Sequence, residues 1–303
     1  QMSDISNKLR EKLESDFYIG LPASVIYQES KKDATRKVLF KLNEREEGTS
    51  ELIESVFMKY NYGNTICISS QLGCRMGCKF CASTQNGLAR GLTAGEMYGQ
   101  VLSMCNVTGE RMDHVVVMGI GEPFDNYDEL SKFIELIHEP KGYNLSLRNI
   151  TVSTCGLIPY IYKFAKDFPQ VNLAISLHAP NDDIRKNLMP IANKYSFDDL
   201  LKACSRYTDK THRRITFEYA LTGNVNDSTE DAEELAKALS GMLCHVNLIP
   251  LNTVDNTGLS STSKKNIEIF KSILNDRGIP VTVRRKLGSD IDAACGQLRA
   301  KNS

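Results

Sequence analysis

The run Cys74-Arg-Met-Gly-Cys78-Lys-Phe-Cys81 places three thiols within eight residues. Thiolates are soft ligands, so this spacing points to a soft metal or an iron–sulfur cluster. A structural zinc site would need a fourth protein ligand, typically from a second short pair, and no such pair follows. A [4Fe–4S] cluster held by three cysteines would keep one iron open, although ferredoxin spacings differ from this one. Three coincidentally buried cysteines are the remaining, least favoured alternative.

Other groups of chemical interest sit at the ends of apolar runs. Gly121 and Glu122 close HVVVMGIG at 114–121, Ser153 ends NITVST, and Ser176, Leu177 and His178 end VNLAISLH. Asn252 lies two residues beyond HVNLIP. A glycine lets backbone approach a ligand, and a carboxylate accepts from an ammonium. Each also has a bland role: a tight turn, a helix cap, a core histidine. Cys67 lies seven residues before Cys74, and Cys295 sits in the small-residue segment AACGQ. Either can be a small buried hydrophobe. Cys105, Cys155, Cys204 and Cys244 read as core or semi-buried thiols.

The elements that must position these groups follow a rhythm. Strand-like runs at 66–70, 114–121, 149–154, 171–178, 213–220, 245–250 and 279–285 alternate with helical stretches. The helices fall around 93–106, 127–138, 157–166, 196–208, 229–241 and 262–276. Such alternation predicts parallel strands covered by helices, an α/β fold. The strands are nearly continuously apolar, as when both faces are buried. Six units suit an open (β/α)6 partial barrel, with a doubly wound sheet as the runner-up. Groups at the ends of different strands are what a barrel mouth requires. Before it, residues 1–62 predict a helix end and a β-hairpin, Ala34–Leu42 against Leu52–Lys59. Residues 63–303 would form the core, with a C-terminal loop around Cys295.

Composition narrows the class. The chain has 303 residues, 37 basic and 37 acidic, so its net charge is zero and it is not a uniformly basic nucleic-acid coat. The balance is local: residues 264–301 hold nine basic and four acidic side chains, net +5, and 113–139 hold seven acidic and one basic, net −6. Arg284, Arg285 and Lys286 lead toward Cys295, and His212, Arg213 and Arg214 form a second basic run. Basic groups near that loop can contact phosphates, though most charge runs are solvated faces. Nine cysteines, no charged-then-apolar leader and only strand-sized apolar runs predict a cytoplasmic protein with reduced thiols and no membrane span.

The C-x3-C-x2-C spacing, with Phe80 before the third cysteine, resembles the radical S-adenosylmethionine (SAM) superfamily. Further motifs occur in order: IESVFMKY at 53–60, CISSQLGC at 67–74, GIGEP at 119–123, SLHAP at 176–180 and DIDAACGQL at 290–298. Together they resemble the dual-specificity RNA adenosine-C2 methyltransferase family over essentially the whole chain. The continuation Pro123-Phe124-Asp125-Asn126 looks more like that family than like its C8-methylating sister. Relatives carry a further N-terminal helical region, of which this sequence holds only the end.

The resemblance implies a [4Fe–4S] cluster on Cys74, Cys78 and Cys81, with SAM on its open iron. It assigns SAM binding to Gly121, Glu122, Ser153, Ser176, Leu177, His178 and Asn252. It makes Cys295 the methyl carrier, Cys67 its disulfide-forming partner and Glu54 a proton acceptor, where a solvated hairpin residue is the plain alternative. The substrates implied are adenosines of 23S rRNA and tRNA, and the partners an external one-electron reductant and no second subunit. Adenine C2 is electron-poor and does not attack a sulfonium methyl, which is why a radical route is needed. Two other readings stay open: C8 methylation of the ribosomal adenosine, and a non-catalytic iron–sulfur RNA-binding module.

Overall fold

The computed structural model describes residues 4–17, 20–42, 51–252, 258–291 and 293. Ser6 caps α1 (Asn7–Asp16) by accepting the Leu9 N–H. Then β1 (Ala23–Glu29), β2 (Arg36–Lys41), β3 (Leu52–Tyr60) and β4 (Gly63–Ile68) pair antiparallel, each with the next. A short hairpin of β5 (Gln71–Gly73) and β6 (Leu88–Gly91) forms its own sheet and brackets the cysteine loop. Alternation follows: α2 (Ala94–Thr108), β7 (His114–Val117), α3 (Tyr127–His138), β8 (Ile150–Thr154), α4 (Ile158–Asp167) and β9 (Asn172–Ser176). After β9 come α5 (Asp182–Leu188), α6 (Phe197–Thr211), β10 (Ile215–Leu221), α7 (Thr229–Ala238), β11 (Cys244–Pro250), α8 (Lys264–Asp276) and β12 (Val281–Val283).

One ten-stranded sheet takes β1, β2, β3, β4, β7, β8, β9, β10, β11 and β12 in that order. From β4 to β12 every pairing is parallel. A doubly wound sheet reverses its strand order at a switch point. This order never reverses, so the sheet curls as a barrel wall and its ends stay apart. The expected (β/α)6 partial barrel is present, extended by β12.

The N-terminal part is larger than one hairpin. The added strand, β1, gives no sequence signal because ASVIYQE shows no alternation: all seven residues are exposed, three adjacent apolar ones included. The expected boundary at 62/63 falls in the β3–β4 turn, and strand pairing runs straight across it. Helix α5 occupies a stretch expected to be connection.

The strands alternate more than expected. Outward residues Ile66, Ile68, Val115, Val117, Val152, Phe217 and Leu248 pack under the helices in one apolar core. The inner face instead carries Cys67, Ser153, Ser176, Glu218 and Asn247. Burial of both strand faces in apolar surroundings is therefore not what the fold does, because the inner face holds the cavities. Among the described residues no helix is long and apolar enough to cross a membrane.

Candidate functional site

A cleft with a cavity volume of about 160 Å³ opens at the C-terminal ends of the parallel strands. Its wall includes Cys74, Cys78, Cys81, Gly121, Glu122, Ser153, Ser176, His178 and Asn252. Nine of the expected site residues thus meet in one place, from the cysteine loop and the ends of β7, β8, β9 and β11.

The cysteine loop is held by its own backbone. Cys74 N–H donates to Gly87 O at 2.8 Å, and Cys81 N–H to Cys78 O at 3.1 Å. Thr84 Oγ1 donates to Cys81 O at 3.0 Å, ahead of its longer bond to Cys78 O. Gly73 starts the turn at φ +76°, and a Cβ there would lie 2.0 Å from Gly87 O. Burial pushes the Cys74 thiol up to about 12 and the Cys78 thiol higher still, and the neighbouring sulfurs add to the rise. A bound metal must therefore displace protons from these thiols. Among the described residues no three His, Cys, Asp or Glu side chains converge as a single metal ion would require. Three thiols spread around one cleft suit a larger, thiolate-held body such as a [4Fe–4S] cluster. The residues present fit that group.

Next to the thiols the Gly119–Asn126 loop is locked to β5 and its flanks. Glu122 N–H donates to Gln71 Oε1 at 2.8 Å, and Gln71 Nε2 donates to Asp125 Oδ2 at 3.0 Å. Arg75 pairs with Asp125. Asn126 Nδ2 donates to Ser70 O at 2.9 Å and to Leu92 O at 2.7 Å. Gly121, at φ +107°, has no room for a Cβ, which would sit 2.6 Å from the Gln71 Cβ. The Glu122 carboxylate accepts the N–H of Phe124 at 3.0 Å and of Cys155 at 2.7 Å. Burial raises its pKa, and those donors oppose the rise. A ligand ammonium would complete the set of donors.

His178 is buried at φ +56° with Nδ1 accepting the Ala220 N–H at 2.9 Å. Its ring meets Phe80 edge-on, 4.7 Å between centroids. Burial, reinforced by the Arg185 charge, pushes its pKa down to about 3, so the ring is neutral. Leu177 stays off the wall. Its side chain is in the core, its N–H donates to Glu218 O, and its carbonyl accepts from Arg185.

A second cavity adjoins the first. It is lined by Cys67 with Val56, Met58, Tyr60, Arg285, Lys286, Leu287 and Ala293, and shares Met118, Ile249, Asn252 and Arg284 with the first cleft. Cys67 is buried. Cys295 lies outside the described residues. Glu54 lines neither cavity. It is buried in β3, where its carbonyl accepts the Ser69 hydroxyl at 2.9 Å and its carboxylate lies 3.5 Å from Lys37 Nζ.

Three further residues of the wall have no part in the ligand set expected from the motifs. Glu218 projects from β10 into the first cleft, accepts Asn247 Nδ2–H at 2.8 Å and lies 3.9 Å from Arg284. It does leave a signal, a lone acid inside the apolar run RRITFEYA. Cys155, expected as a core or semi-buried thiol, is buried and lines the cleft beside Glu122. Arg284, expected as a phosphate contact or a solvated charge, turns inward onto both cavities. The His212–Arg214 run precedes β10, so it stands at the opposite ends of the strands from the clefts.

The sequence profile of the radical SAM superfamily matches residues 68–239. The "probable dual-specificity RNA methyltransferase RlmN" of Clostridium perfringens strain 13 is 53% identical over 299 residues, covering 99% of this chain and 85% of the relative. The relative of that name from Clostridium tetani is 51% identical over 300 residues, 99% of this chain and 84% of its own. The crystal structure of a radical SAM methyltransferase from Sphaerobacter thermophilus superimposes with a TM-score of 0.92 at 44% identity, covering 99% of this chain and 87% of that one. HydG, a maturase of the [FeFe]-hydrogenase, shares the fold at a TM-score of 0.53 and 15% identity, over 76% of this chain and 54% of its own. With thiols, glycine, carboxylate and asparagine gathered at the mouth of a partial barrel, and with relatives identical at half their positions, this chain belongs to the dual-specificity RNA methyltransferase family of the radical SAM superfamily.

Proposed function

We propose that this protein methylates C2 of an adenosine in 23S rRNA and in tRNA through a methylated-cysteine intermediate. The observation that carries the reading is the wall shared by the thiol-lined cleft and the Cys67 cavity. A group made reactive in one lies beside the nucleophile of the other.

Cys74, Cys78 and Cys81 would hold the cluster. Gly121, Glu122, Ser153, Ser176, His178 and Asn252 would hold SAM, with Leu177 acting only by fixing the backbone on either side of it. When bound, the cluster and SAM would supply a 5′-deoxyadenosyl radical. Glu122 would accept the ligand's ammonium. His178, with Nδ1 committed to Ala220, offers a fixed Nε2–H. Arg285 and Lys286 line the Cys67 cavity and would neutralise phosphates of an extruded nucleotide. Cys295 would carry the methyl group to the base. Cys67 would then bond to the Cys295 sulfur, breaking the sulfur–carbon bond and releasing the methylated base. Glu54 would take up a proton in this sequence. The disulfide left behind is reduced from outside by two electrons. The protein would work as a cytoplasmic monomer with an external one-electron reductant for the cluster, its residues 1–62 forming an N-terminal unit joined through the β3–β4 pairing to a 63–303 core.

The test is anaerobically reconstituted protein given SAM, reductant and each RNA, with base-position mapping by mass spectrometry. Methyl at C2 is expected, and none from Cys295→Ala. Methyl at C8 would favour the sister chemistry. RNA binding without SAM cleavage would favour a non-catalytic module.

A further inference from the structure

Behind the cysteine loop lies a charge with no ion-pair partner among the described residues; Asp182, on the same helix, acts on it only from a distance and pairs with Lys186. Arg185, on α5, is fully buried. Its Nη2 donates to Cys155 O at 2.7 Å and more weakly to Ser176 O at 3.4 Å, and Nε donates to Leu177 O at 3.3 Å. Its Nη1 is buried without an acceptor among the described residues, and none of their carboxylates lies within ion-pair distance. Three neutral carbonyls orient a guanidinium but do not cancel its charge. An uncompensated buried cation is strongly disfavoured, so its persistence needs a reason.

The location supplies one. Helix α5 packs directly on the cysteine loop: Lys79 N–H donates to Leu188 O at 3.0 Å, and Lys79 Nζ to Asn187 Oδ1 at 2.7 Å. Leu188 and Met189 share an apolar cluster with Cys78 and Cys155. Arg185 reaches this cluster through its bond to the Cys155 carbonyl. Three thiolates outweigh the charge of an oxidised iron–sulfide core, so the cluster proposed above is anionic. Reduction makes it more so. Lys79 and Arg75 are also on the loop, but their cationic ends pair with exposed or loop groups.

We propose that the Arg185 guanidinium is the buried counter-charge of the iron–sulfur cluster, offsetting the negative charge of its reduced form and so easing the one-electron reduction that starts turnover. The inference rests on the cluster reading. It makes Arg185 a positioning and charge-setting residue: its side chain stays off the cleft wall and reaches that wall only through backbone carbonyls. It also explains why an arginine occupies a site where its bonds alone reach only carbonyls. Electrostatic influence of this kind is long-ranged in a dry interior.

The experiment compares wild type, Arg185→Gln and Arg185→Lys after anaerobic reconstitution. Iron and sulfide content, the thermal midpoint of each apo-protein and the cluster's reduction potential by EPR-monitored titration are measured. Arg185→Gln is expected to load the cluster but to hold roughly tenfold less reduced cluster at the wild-type midpoint potential. Arg185→Lys keeps the charge and is expected to titrate with the wild type, even if its lost carbonyl bonds lower apo-stability. An unchanged potential in a loaded Gln variant overturns the proposal. So does a potential that falls as far in the Lys variant, which can be read even if the Gln variant does not fold. A wild type that binds no iron or sulfide would instead defeat the cluster reading.

Discussion

His178 Nδ1 accepts the Ala220 backbone N–H at 2.9 Å, which ties the end of β9 to β10 and leaves the ring proton on Nε2. The bond works only with a neutral imidazole, and burial keeps it so by lowering the pKa to about 3. An unfolded histidine takes its proton near pH ~6.5. Between those values the unfolded state binds more protons, so stability falls as pH falls, by up to about 1.4 kcal/mol per pH unit from this group. The urea midpoint of the apo-protein should drop between pH ~7.5 and ~5. His178→Asn, which tolerates positive φ, should drop less. Parallel losses in both proteins would sink the assignment.

The turn before Cys74 offers a cleaner steric probe. Gly73→Ala would thrust a methyl onto Gly87 O, the acceptor of the Cys74 N–H. The β5–β6 hairpin must open, at a cost of about 1–3 kcal/mol for the backbone strain. Iron bound after reconstitution should fall severalfold, while far-ultraviolet circular dichroism stays native, because the barrel strands are untouched. Full iron loading in this variant would show that the hairpin does not set the cysteine geometry.

Glu218 is a buried acid whose pKa is raised, first by desolvation, against the pull of Arg284 and the Asn247 bond. A raised carboxyl contributes stability at low pH that is lost as pH rises through its folded pKa. Glu218→Gln keeps an acceptor for Asn247 and removes that loss. Its stability relative to wild type should improve as pH rises from acid to mildly alkaline. Glu218→Ala strands the Asn247 donor and should cost about 1–3 kcal/mol at every pH. Chemical denaturation across pH decides it, and a flat wild-type-minus-Gln difference would contradict it.

Cys67 is packed against Val56, Met58, Ile120 and Ala293. Cys67→Ala removes one sulfur from this cluster, a loss of about 1 kcal/mol. The cluster cysteines lie in the other cleft, so iron content should be unchanged. If Cys67 resolves the intermediate, the variant should accumulate a covalent protein–RNA adduct, visible on a denaturing gel, and release no methylated base. Product at the wild-type rate would remove Cys67 from the reaction.

Most of the barrel is legible because its signals are local. Helix α3 falls on the expected residues, and β8, β10 and β11 lie within two residues of their apolar runs. Cysteine spacing and strand-end position also suffice to gather Cys74, Glu122, Ser176 and Asn252. What escapes depends on tertiary neighbours. β1 exposes Val25, Ile26 and Tyr27 together, so burial leaves no period to read. Arg185, inside NDDIRKNL, has the sequence of an ordinary surface charge until α5 is seen beneath the cysteines. Leu177 shows the reverse limit, for adjacency to Ser176 and His178 does not bring a side chain to the wall. Arg284 belongs to a basic run by sequence and to the barrel interior by its bond to β11, where its N–H donates to Leu248 O.

Because strand order equals chain order, the site has a schedule as well as a shape. A nascent chain emerging from its N-terminus presents the cysteine loop and Glu122 early, on strands that pair with what has already been made. Asn252 and Arg284, from the far side of the same cleft, arrive only with the last strands. Domains generally fold as units during synthesis, so the wall that shelters the three thiols is complete only once the last strands of the chain have joined the sheet.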